Sequence, residues 1–447
     1  WNKWQLSSHN YHGLVNVFAW LRYPAALFVI AVLLSWRVDI NLFSIYQYYK
    51  NRLVRAYLGA SRSKRQANPF TGFDMADDLP MSHLQSQRPY HIVNSALNLV
   101  SGKELAWQQR KAAAFSITPK FSGFQLSRSA AGGGGYRRTD EFLGTSSASL
   151  VNPSITLGQA LSISGAAASP NMGYHSSPAL AFLMTVFNVR LGRWCGNPAA
   201  KKAKYAFAEW TWLTQKFGLA QQIWQRDGPQ FGAWYLLREL FSSSNEGTAF
   251  VYLSDGGHFE NLAMYELVRR RCKLIVVCDA GADKSGSFAD LGNAIRKCYI
   301  DLGVEIELNL DALRPDVISN RSQHHYAVGT VHYETADNKS SPGTLLYIKT
   351  SLCDTEPSDI LNYAAQHNDF PHDSTADQWF DEGQFESYRK LGYHITKGVF
   401  DSAIGYAITN RGESSTQDTV LLGTEELINA LRQIGEQDGA TATQSPI

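Results

Sequence analysis

The stretch between residues 248 and 278 constrains the fold most, because its hydrophobic periodicity changes twice. Residues 248–253 (TAFVYL) are rich in β-branched and aromatic side chains, and residues 262–271 carry apolar side chains at helical spacing. Residues 273–278 (KLIVVC) then form a continuous apolar run. A strand, a helix and a second strand in this order predict a βαβ crossover, with a parallel sheet buried on both faces. The chain is therefore expected to be an α/β protein.

The alternation of helices and strands continues after this stretch. Residues 288–303 predict a helix, and residues 304–308 predict a strand. Residues 326–334 and 343–352 predict a β-hairpin, which would add antiparallel strands at a sheet edge. We therefore expect a parallel or mixed sheet flanked by helices.

The charge balance argues against one class of partner. The chain of 447 residues has 41 Lys and Arg residues against 40 Asp and Glu residues. This balance produces no strong field that would attract a polyanion. We expect no nucleic-acid partner.

The cysteines indicate a reducing compartment. There are five, an odd number, and no two of them form a C-x-x-C pair. A disulfide framework is therefore not predicted. Cys272, Cys278 and Cys298 lie inside hydrophobic segments and are expected to be buried as small apolar residues.

An apolar segment near the start of the chain predicts an N-terminal membrane-associated helix. Residues 23–36 contain no charged side chain, and extending the segment back to residue 14 includes only Arg22. A membrane-spanning helix needs about 20 apolar residues. A buried helix of a soluble protein is the alternative. Residues 41–59 follow as an amphipathic helix, either lying on a lipid surface or exposing an ordinary solvated face.

Composition divides the chain into four segments. Residues 1–59 are the membrane-associated helical segment, and residues 60–80 are a polar linker that changes from basic to acidic. Residues 81–433 show no comparable break and are expected to form one α/β domain. Residues 434–447 have few bulky apolar side chains and predict a flexible tail.

Asp255-Gly256-Gly257 directly follows the first strand of the predicted crossover. Two glycines after a strand-end carboxylate let another backbone or a substrate approach closely. Asn261 is placed to cap or brace the next helix. Asp279 follows the second strand and is expected at the same sheet edge, where parallel sheets gather reactive groups. A simple Asp-Gly turn is the alternative.

Asp255-Gly256-Gly257, with Asn261 after it, resembles a segment of the patatin-like and cytosolic phospholipase A2-like acyl hydrolases. Residues 162–176 (SISGAAASPNMGYHS) resemble the small-residue stretch that precedes the aspartate in this family. Residues 46–59 and 370–392 resemble segments of large bacterial patatin-like proteins. The resemblance covers most of the chain between residues 41 and 400.

The resemblance implies a patatin-like fold and a Ser/Asp catalytic dyad. Asp255 would be the general base, with Gly256, Gly257 and Asn261 as its supporting turn. The implied substrate is a membrane lipid or phospholipid, hydrolysed without a cofactor or a metal. The resemblance also implies a bacterial, membrane-associated protein with its catalytic domain in the cytoplasm.

The nucleophilic serine is where the chain departs from the family pattern. No Gly-x-Ser-x-Gly elbow occurs. Ser164 is a weak candidate, for which a packing role is favoured. Residues 132–135 imitate a glycine-rich oxyanion loop but are followed closely only by residues 144–146 (GTS). The family places both elements before its membrane region, and this sequence begins at Trp1, just before such a region. The serine is therefore expected on a preceding N-terminal portion or on a separate chain.

Two other functions remain open. The first is a catalytically inactive, membrane-associated patatin-like scaffold. The second is a metal-dependent hydrolase, although no H-E-x-x-H motif occurs. Its candidate ligands are Asp255, His258, Glu260, Asp279, His324, His325, His367 and His372.

Overall fold

The structure is a computed structural model that contains both helices and β-sheets. It describes residues 22–99, 110–125, 135–143, 154–169, 178–187, 189–200, 223–240, 246–337, 340–374, 377, 379–411 and 422–442. The chain divides into two compact units, a first unit, Trp1–Phe259, and a second unit, Glu260–Ile447. This boundary falls inside the predicted domain of residues 81–433, where the sequence shows no comparable break.

The first unit contains a six-stranded sheet with the order β4-β3-β2-β1-β6-β5. Its strands are β1 (Val93–Asn98), β2 (Ala112–Ile117), β3 (Phe121–Phe124), β4 (Gly135–Arg138), β5 (Arg193–Gly196) and β6 (Phe250–Asp255). Every neighbouring pair is antiparallel. The first five residues of β6 are buried, because this strand lies between β1 and β5. Asp255 is therefore the last residue of an inner strand.

The second unit contains a four-stranded sheet with the order β7-β10-β9-β8. Its strands are β7 (Leu274–Asp279), β8 (Glu305–Glu307), β9 (Tyr326–His332) and β10 (Gly343–Lys349). β7 and β10 are parallel, whereas β9 is antiparallel to both β10 and β8. The predicted hairpin is confirmed as β9 and β10. The strand predicted at residues 304–308 is confirmed as β8.

The predicted βαβ crossover is wrong. β6 and β7 belong to different sheets, and β6 has only antiparallel neighbours. β7 is also not buried on both faces, since Val276 and Cys278 are exposed. The cause is long-range pairing, because β6 hydrogen-bonds to strands that come far earlier in the chain. Asp255 and Asp279 therefore end strands of separate sheets.

The described residues of the first unit form five α-helices. They are α1 (residues 22–37), α2 (Tyr46–Leu53, followed by a π-helical turn at Val54–Gly59), α3 (Leu157–Ser164), α4 (Pro178–Val186) and α5 (Gly232–Leu240). α3 packs closely on the end of α2 through Gly158, where a Cβ atom would lie 2.3 Å from Val54 Cγ2. Gly158 therefore permits close packing of α3 on the end of α2.

The α1 helix exposes most of its apolar side chains. Leu27 and Phe28 are 67% and 69% exposed, and Leu33 and Trp36 are more than half exposed. Within the described part of the chain, no helix combines the length and the apolar character needed to cross a membrane. The N-terminal membrane-associated helix stays a prediction.

Residues 60–80 fold back on themselves through ion pairs instead of running as an open linker. Asp77 is fully buried and accepts a hydrogen bond from Arg62 Nη1 at 2.6 Å. Arg65 also pairs with Asp77, and these arginine hydrogen bonds lower the pKa of Asp77. The change from basic to acidic residues therefore reflects pairing within one loop.

Five α-helices are formed by the part of the second unit that the structure describes. They are α6 (Met264–Arg269), α7 (Ala289–Leu302), α8 (Ser358–Gln366), α9 (Glu382–Arg411) and α10 (Thr424–Ala442). The helix predicted at residues 288–303 is thus confirmed as α7. The predicted flexible tail needs correction, because α10 continues to Ala442 and buries Ile434 against the apolar side chains of α9 and β10.

All five cysteines are free. Cys298 is buried as predicted, but Cys272 is half-buried and Cys278 is exposed. Cys278 is exposed because side chains alternate along β7 and only one face of that strand is covered.

Candidate active site

Asp255 is held where β6 leaves the sheet. It pairs in register with Ser95 of β1, and its backbone N–H donates to the carbonyl oxygen of Ala166 at 3.4 Å. Ala166 follows the end of α3. The structure thus brings the small-residue stretch and the Asp-Gly-Gly turn together.

A short 3₁₀ turn, Gly256–His258, orients the Asp255 side chain. Gly257 N–H donates to Asp255 Oδ1 at 2.7 Å and so fixes one carboxylate oxygen. At Gly256 a Cβ atom would lie 2.9 Å from the carbonyl oxygen of Asn94. Gly256 therefore has the close-approach role that the sequence suggested.

The environment of Asp255 favours its protonated form. Burial raises its pKa above the ordinary value of 3.8, and the hydrogen bond from Gly257 opposes this shift only partly. No hydrogen bond reaches Asp255 Oδ2 from any residue that the structure describes. A half-buried carboxylate with one fixed and one open oxygen is suited to accept a proton.

Tyr49 of α2 lies beside Asp255, which the sequence analysis missed. Burial raises the pKa of Tyr49, and the negative charge of Asp255 raises it further. A Cβ atom at Gly165 would lie 2.6 Å from Tyr49 Oη, so the segment after α3 packs directly on this hydroxyl. No sequence pattern connects α2 with the end of β6, because their proximity arises from tertiary packing.

Ser164, the weak nucleophile candidate, lies at the end of α3 and near the same turn. Its hydroxyl donates to the carbonyl oxygen of Asn94 at 2.6 Å, and this oxygen also faces Gly256. The Ser164 hydroxyl is thus hydrogen-bonded to the backbone of β1. No hydroxyl among the described residues hydrogen-bonds to Asp255. This geometry suits a packing role. Residues 132–134 and 144–146 lie outside the described residues, and Gly135 begins β4.

A serine–histidine pair lies next to Asp255 in sequence. Ser254 Oγ is 2.8 Å from His258 Nδ1 and accepts a hydrogen bond from Asn98 Nδ2 at 2.8 Å. Ser254 is fully buried, and side chains of successive strand residues point to opposite faces of a sheet. The pair therefore secures the turn from the other face, where a substrate cannot reach the hydroxyl.

Comparisons with known proteins add no further evidence. No protein-family model matches the chain, and neither does any curated protein.

Asn261 and Glu260 begin the second unit and have structural contacts. Glu260 accepts hydrogen bonds from the backbone N–H groups of Leu262 and Tyr265, at 2.5 and 3.2 Å, and so braces the start of α6. Asn261 Nδ2 instead donates to Asp290 Oδ2 at 3.1 Å, in the first turn of α7. Asn261 was expected to brace the next helix, and it contacts the one after that.

Asp279 ends β7 in a buried ion pair. Its Oδ1 is 3.1 Å from Lys349 Nζ, and its Oδ2 accepts a hydrogen bond from Tyr347 Oη at 2.6 Å. Asp283, four residues later, accepts from the backbone N–H groups of Ser287 and Phe288 at the start of α7. Asp279 and Asp283 therefore have structural roles.

The metal ligands considered in the sequence do not assemble as one set. His372 Nδ1 accepts a hydrogen bond from Asp283 N at 3.3 Å, and His367 stacks on Tyr363 with ring centroids 3.8 Å apart. Among the described residues, the group that could hold a metal ion is formed by His325, Cys353 and Glu356. The last two were missed, and their C-x-x-E spacing after the predicted hairpin was the available signal.

Proposed function

We propose that the protein is a lipid acyl hydrolase, of phospholipase or lysophospholipase type, with a patatin-like fold and Asp255 as the general base of a Ser/Asp dyad. One observation carries this proposal. Asp255 is a half-buried carboxylate at the end of an inner strand, with Oδ1 held by Gly257 and Oδ2 open. The reaction needs no cofactor.

The chemistry assigned to Asp255 is proton transfer. As a serine hydroxyl attacks the ester carbonyl, Asp255 accepts its proton and the carbonyl electron pair moves to the oxygen. The tetrahedral intermediate then expels the alcohol, which takes the proton back, and leaves an acyl-serine. Water repeats both steps and releases the fatty acid. A raised pKa makes a carboxylate a better base for this purpose.

The nucleophilic serine is proposed to come from outside the described residues or from a separate chain. A fluorophosphonate probe, which reacts with activated serines, tests this proposal on protein produced from the complete gene. We expect one labelled serine per active site, identified by peptide mapping, and loss of fluorescent-phospholipid hydrolysis in proportion to labelling. Absence of both labelling and hydrolysis would support the inactive scaffold instead.

We propose further that the first unit docks on a lipid surface through exposed apolar side chains. The exposed apolar side chains of α1 lie next to α5, because Ala233 N–H of α5 donates to Ser35 Oγ of α1 at 2.9 Å. α5 in turn packs against α4. Phe182 of α4, Phe187 just after α4, and Trp234 of α5 are each more than half exposed. A bilayer covers such a surface and also presents the proposed substrate.

Serine substitution of Leu27, Phe28 and Leu33 tests the lipid surface. Burying each side chain in lipid is worth on the order of 1 kcal/mol or more, so the triple variant should bind vesicles about 100-fold more weakly. Co-sedimentation with phospholipid vesicles measures this change. The control is Trp379→Ser, which removes an 84% exposed side chain of the second unit and should leave binding unchanged. Equal binding by the triple variant and the wild-type protein would contradict the proposal.

A further inference from the structure

A second cluster of chemically versatile side chains lies where β9 begins and β10 ends. The two strands are antiparallel, with Ile348 opposite Tyr326, and Lys349 N–H donates to the carbonyl oxygen of His325 at 2.9 Å. The chain after β10 then turns back toward β9. This turn brings Ser351 and Cys353 against the His325 ring.

Three potential ligand atoms of different elements meet in this cluster. Cys353 Sγ is 3.5 Å from His325 Nδ1, and Glu356 Oε1 is 3.4 Å from His325 Nε2. One ligand atom from each residue lies within 4.8 Å of the other two. Metal–ligand bonds of about 2.0–2.3 Å place the ligand atoms of a tetrahedral zinc site about 3.3–3.6 Å apart. His325 offers one nitrogen to an ion, so the Cys353 side chain would have to move from Nδ1 toward Nε2 to complete the coordination.

The hydrogen bonds leave one nitrogen of His325 open. Ser351 Oγ donates its proton to the carbonyl oxygen of Lys349 at 3.4 Å, and it lies 3.1 Å from His325 Nδ1. In the tautomer in which Ser351 Oγ accepts from Nδ1–H, the lone pair of the ring lies on Nε2. This is the usual way in which a second residue orients a metal-binding histidine.

Two buried polar atoms of the cluster have no hydrogen-bond partner. They are His325 Nε2 and Glu356 Oε2. The Glu356 side chain is completely buried, and only its other oxygen is bonded, to Cys353 N–H at 2.8 Å. A buried carboxylate oxygen without a partner is costly. His325 Nε2 lies 3.4 Å from Glu356 Oε1, and this contact does not count as a hydrogen bond for Nε2. It does not involve Glu356 Oε2.

We propose that His325, Cys353 and Glu356 bind one divalent transition-metal ion of the zinc class. Imidazole nitrogen, thiolate sulfur and carboxylate oxygen together suit Zn²⁺. Mg²⁺ and Ca²⁺ prefer sites with oxygen ligands only, so they do not suit this set. The thiol proton of Cys353 leaves to solvent when the thiolate binds the ion. His394 is the candidate for the fourth ligand, because its ring lies edge to face with that of His325 at a centroid distance of 6.0 Å. The ion would tie the segment after β10 to the start of β9.

Titration of the metal-depleted protein with Co²⁺ tests the site directly. We expect one Co²⁺ per chain, with the visible absorption of tetrahedral cobalt and a thiolate-to-cobalt charge-transfer band. Zn²⁺ should displace Co²⁺ and raise the melting temperature. Cys353→Ser should abolish the charge-transfer band, and Glu356→Gln should weaken binding at least 10-fold. Ser351→Ala, which removes only the outer hydrogen bond, should weaken binding about 10-fold.

The matched control is Cys278→Ser, because Cys278 is exposed on β7 and outside the cluster. This variant should bind Co²⁺ like the wild-type protein. Circular dichroism shows whether each variant folds. The proposal is overturned if the wild-type protein gives no charge-transfer band, or if folded Cys353→Ser retains it. The first result would leave the cluster as a histidine–glutamate contact without an ion.

Discussion

Replacing Asp255 with Asn is expected to lower kcat/KM for ester hydrolysis by about 10²–10⁴-fold, the usual contribution of a general base. The amide cannot accept the serine proton at Oδ2, the open oxygen of this side chain. Steady-state hydrolysis of a fluorescent phospholipid by protein produced from the complete gene measures the loss. Activity within a few-fold of the wild-type value would refute the role of Asp255.

Asp255→Asn should fold normally, because the amide oxygen still accepts the hydrogen bond from Gly257. The folded-state pKa of Asp255 is raised, so the carboxylate costs stability as pH rises from the ordinary pKa of 3.8 through the folded value. Above the folded pKa this cost is fully present, and Asn removes it. We therefore expect a melting temperature equal to or above that of the wild-type protein.

Asp316→Asn is a matched control for Asp255→Asn. Asp316 also holds a turn, since its Oδ1 accepts from the backbone N–H groups of Ile318 and Ser319 at 3.0 and 2.8 Å. These hydrogen bonds lower the pKa of Asp316, so its carboxylate stabilises the fold above the ordinary pKa and loses this effect as pH falls. This variant should therefore keep full activity while its melting temperature falls slightly. The two variants separate a catalytic carboxylate from one that only holds a turn.

The pH profile of ester hydrolysis by the wild-type protein provides a second measure of Asp255. A general base must be ionised, so kcat/KM should decline as pH falls through the raised pKa of Asp255. The midpoint should lie above the ordinary aspartate value of 3.8. A midpoint at or below that value, with the protein still folded, would show that another group is the base.

Replacing Lys349 with Met is expected to destabilise the second unit by about 3–5 kcal/mol, the cost of leaving a buried charge without its partner. Lys349 Nζ lies 3.1 Å from Asp279 Oδ1 and also donates to the carbonyl oxygen of Gly281 at 2.6 Å. Both charged side chains are almost completely buried, at 4% and 6% exposure. Chemical denaturation measures the change in the free energy of unfolding.

Lys273→Met is the control for this ion pair. Lys273 pairs with Glu425 at a similar distance, 2.7 Å, but the two side chains are 71% and 70% exposed. Exposed pairs contribute at most about 1 kcal/mol. The double variant Lys349→Met, Asp279→Leu should recover much of the lost stability, because no charge then remains unpaired. Equal losses for the two lysine variants would show that the buried pair is not held in a low-dielectric environment.

Local residue patterns were enough to locate several elements. β-Branched and aromatic runs predicted β6 and β7, and helical spacing predicted α7. The acid followed by two glycines predicted that Asp255 would end a strand, which it does. These features depend on backbone preferences and on the alternation of side chains over a few residues.

Strand pairing and the composition of both sites were decided by tertiary structure alone. The βαβ prediction failed because a buried apolar strand has the same local pattern in parallel and antiparallel sheets, and its neighbours are chosen by long-range hydrogen bonds. Tyr49 reaches Asp255 only through the packing of α2 and α3. His325 reaches Cys353 only because β9 and β10 pair in one register. Local sequence was enough to predict that Asp255 ends a strand, whereas tertiary contacts decided which side chains lie beside it, because no local pattern links residues far apart in the chain.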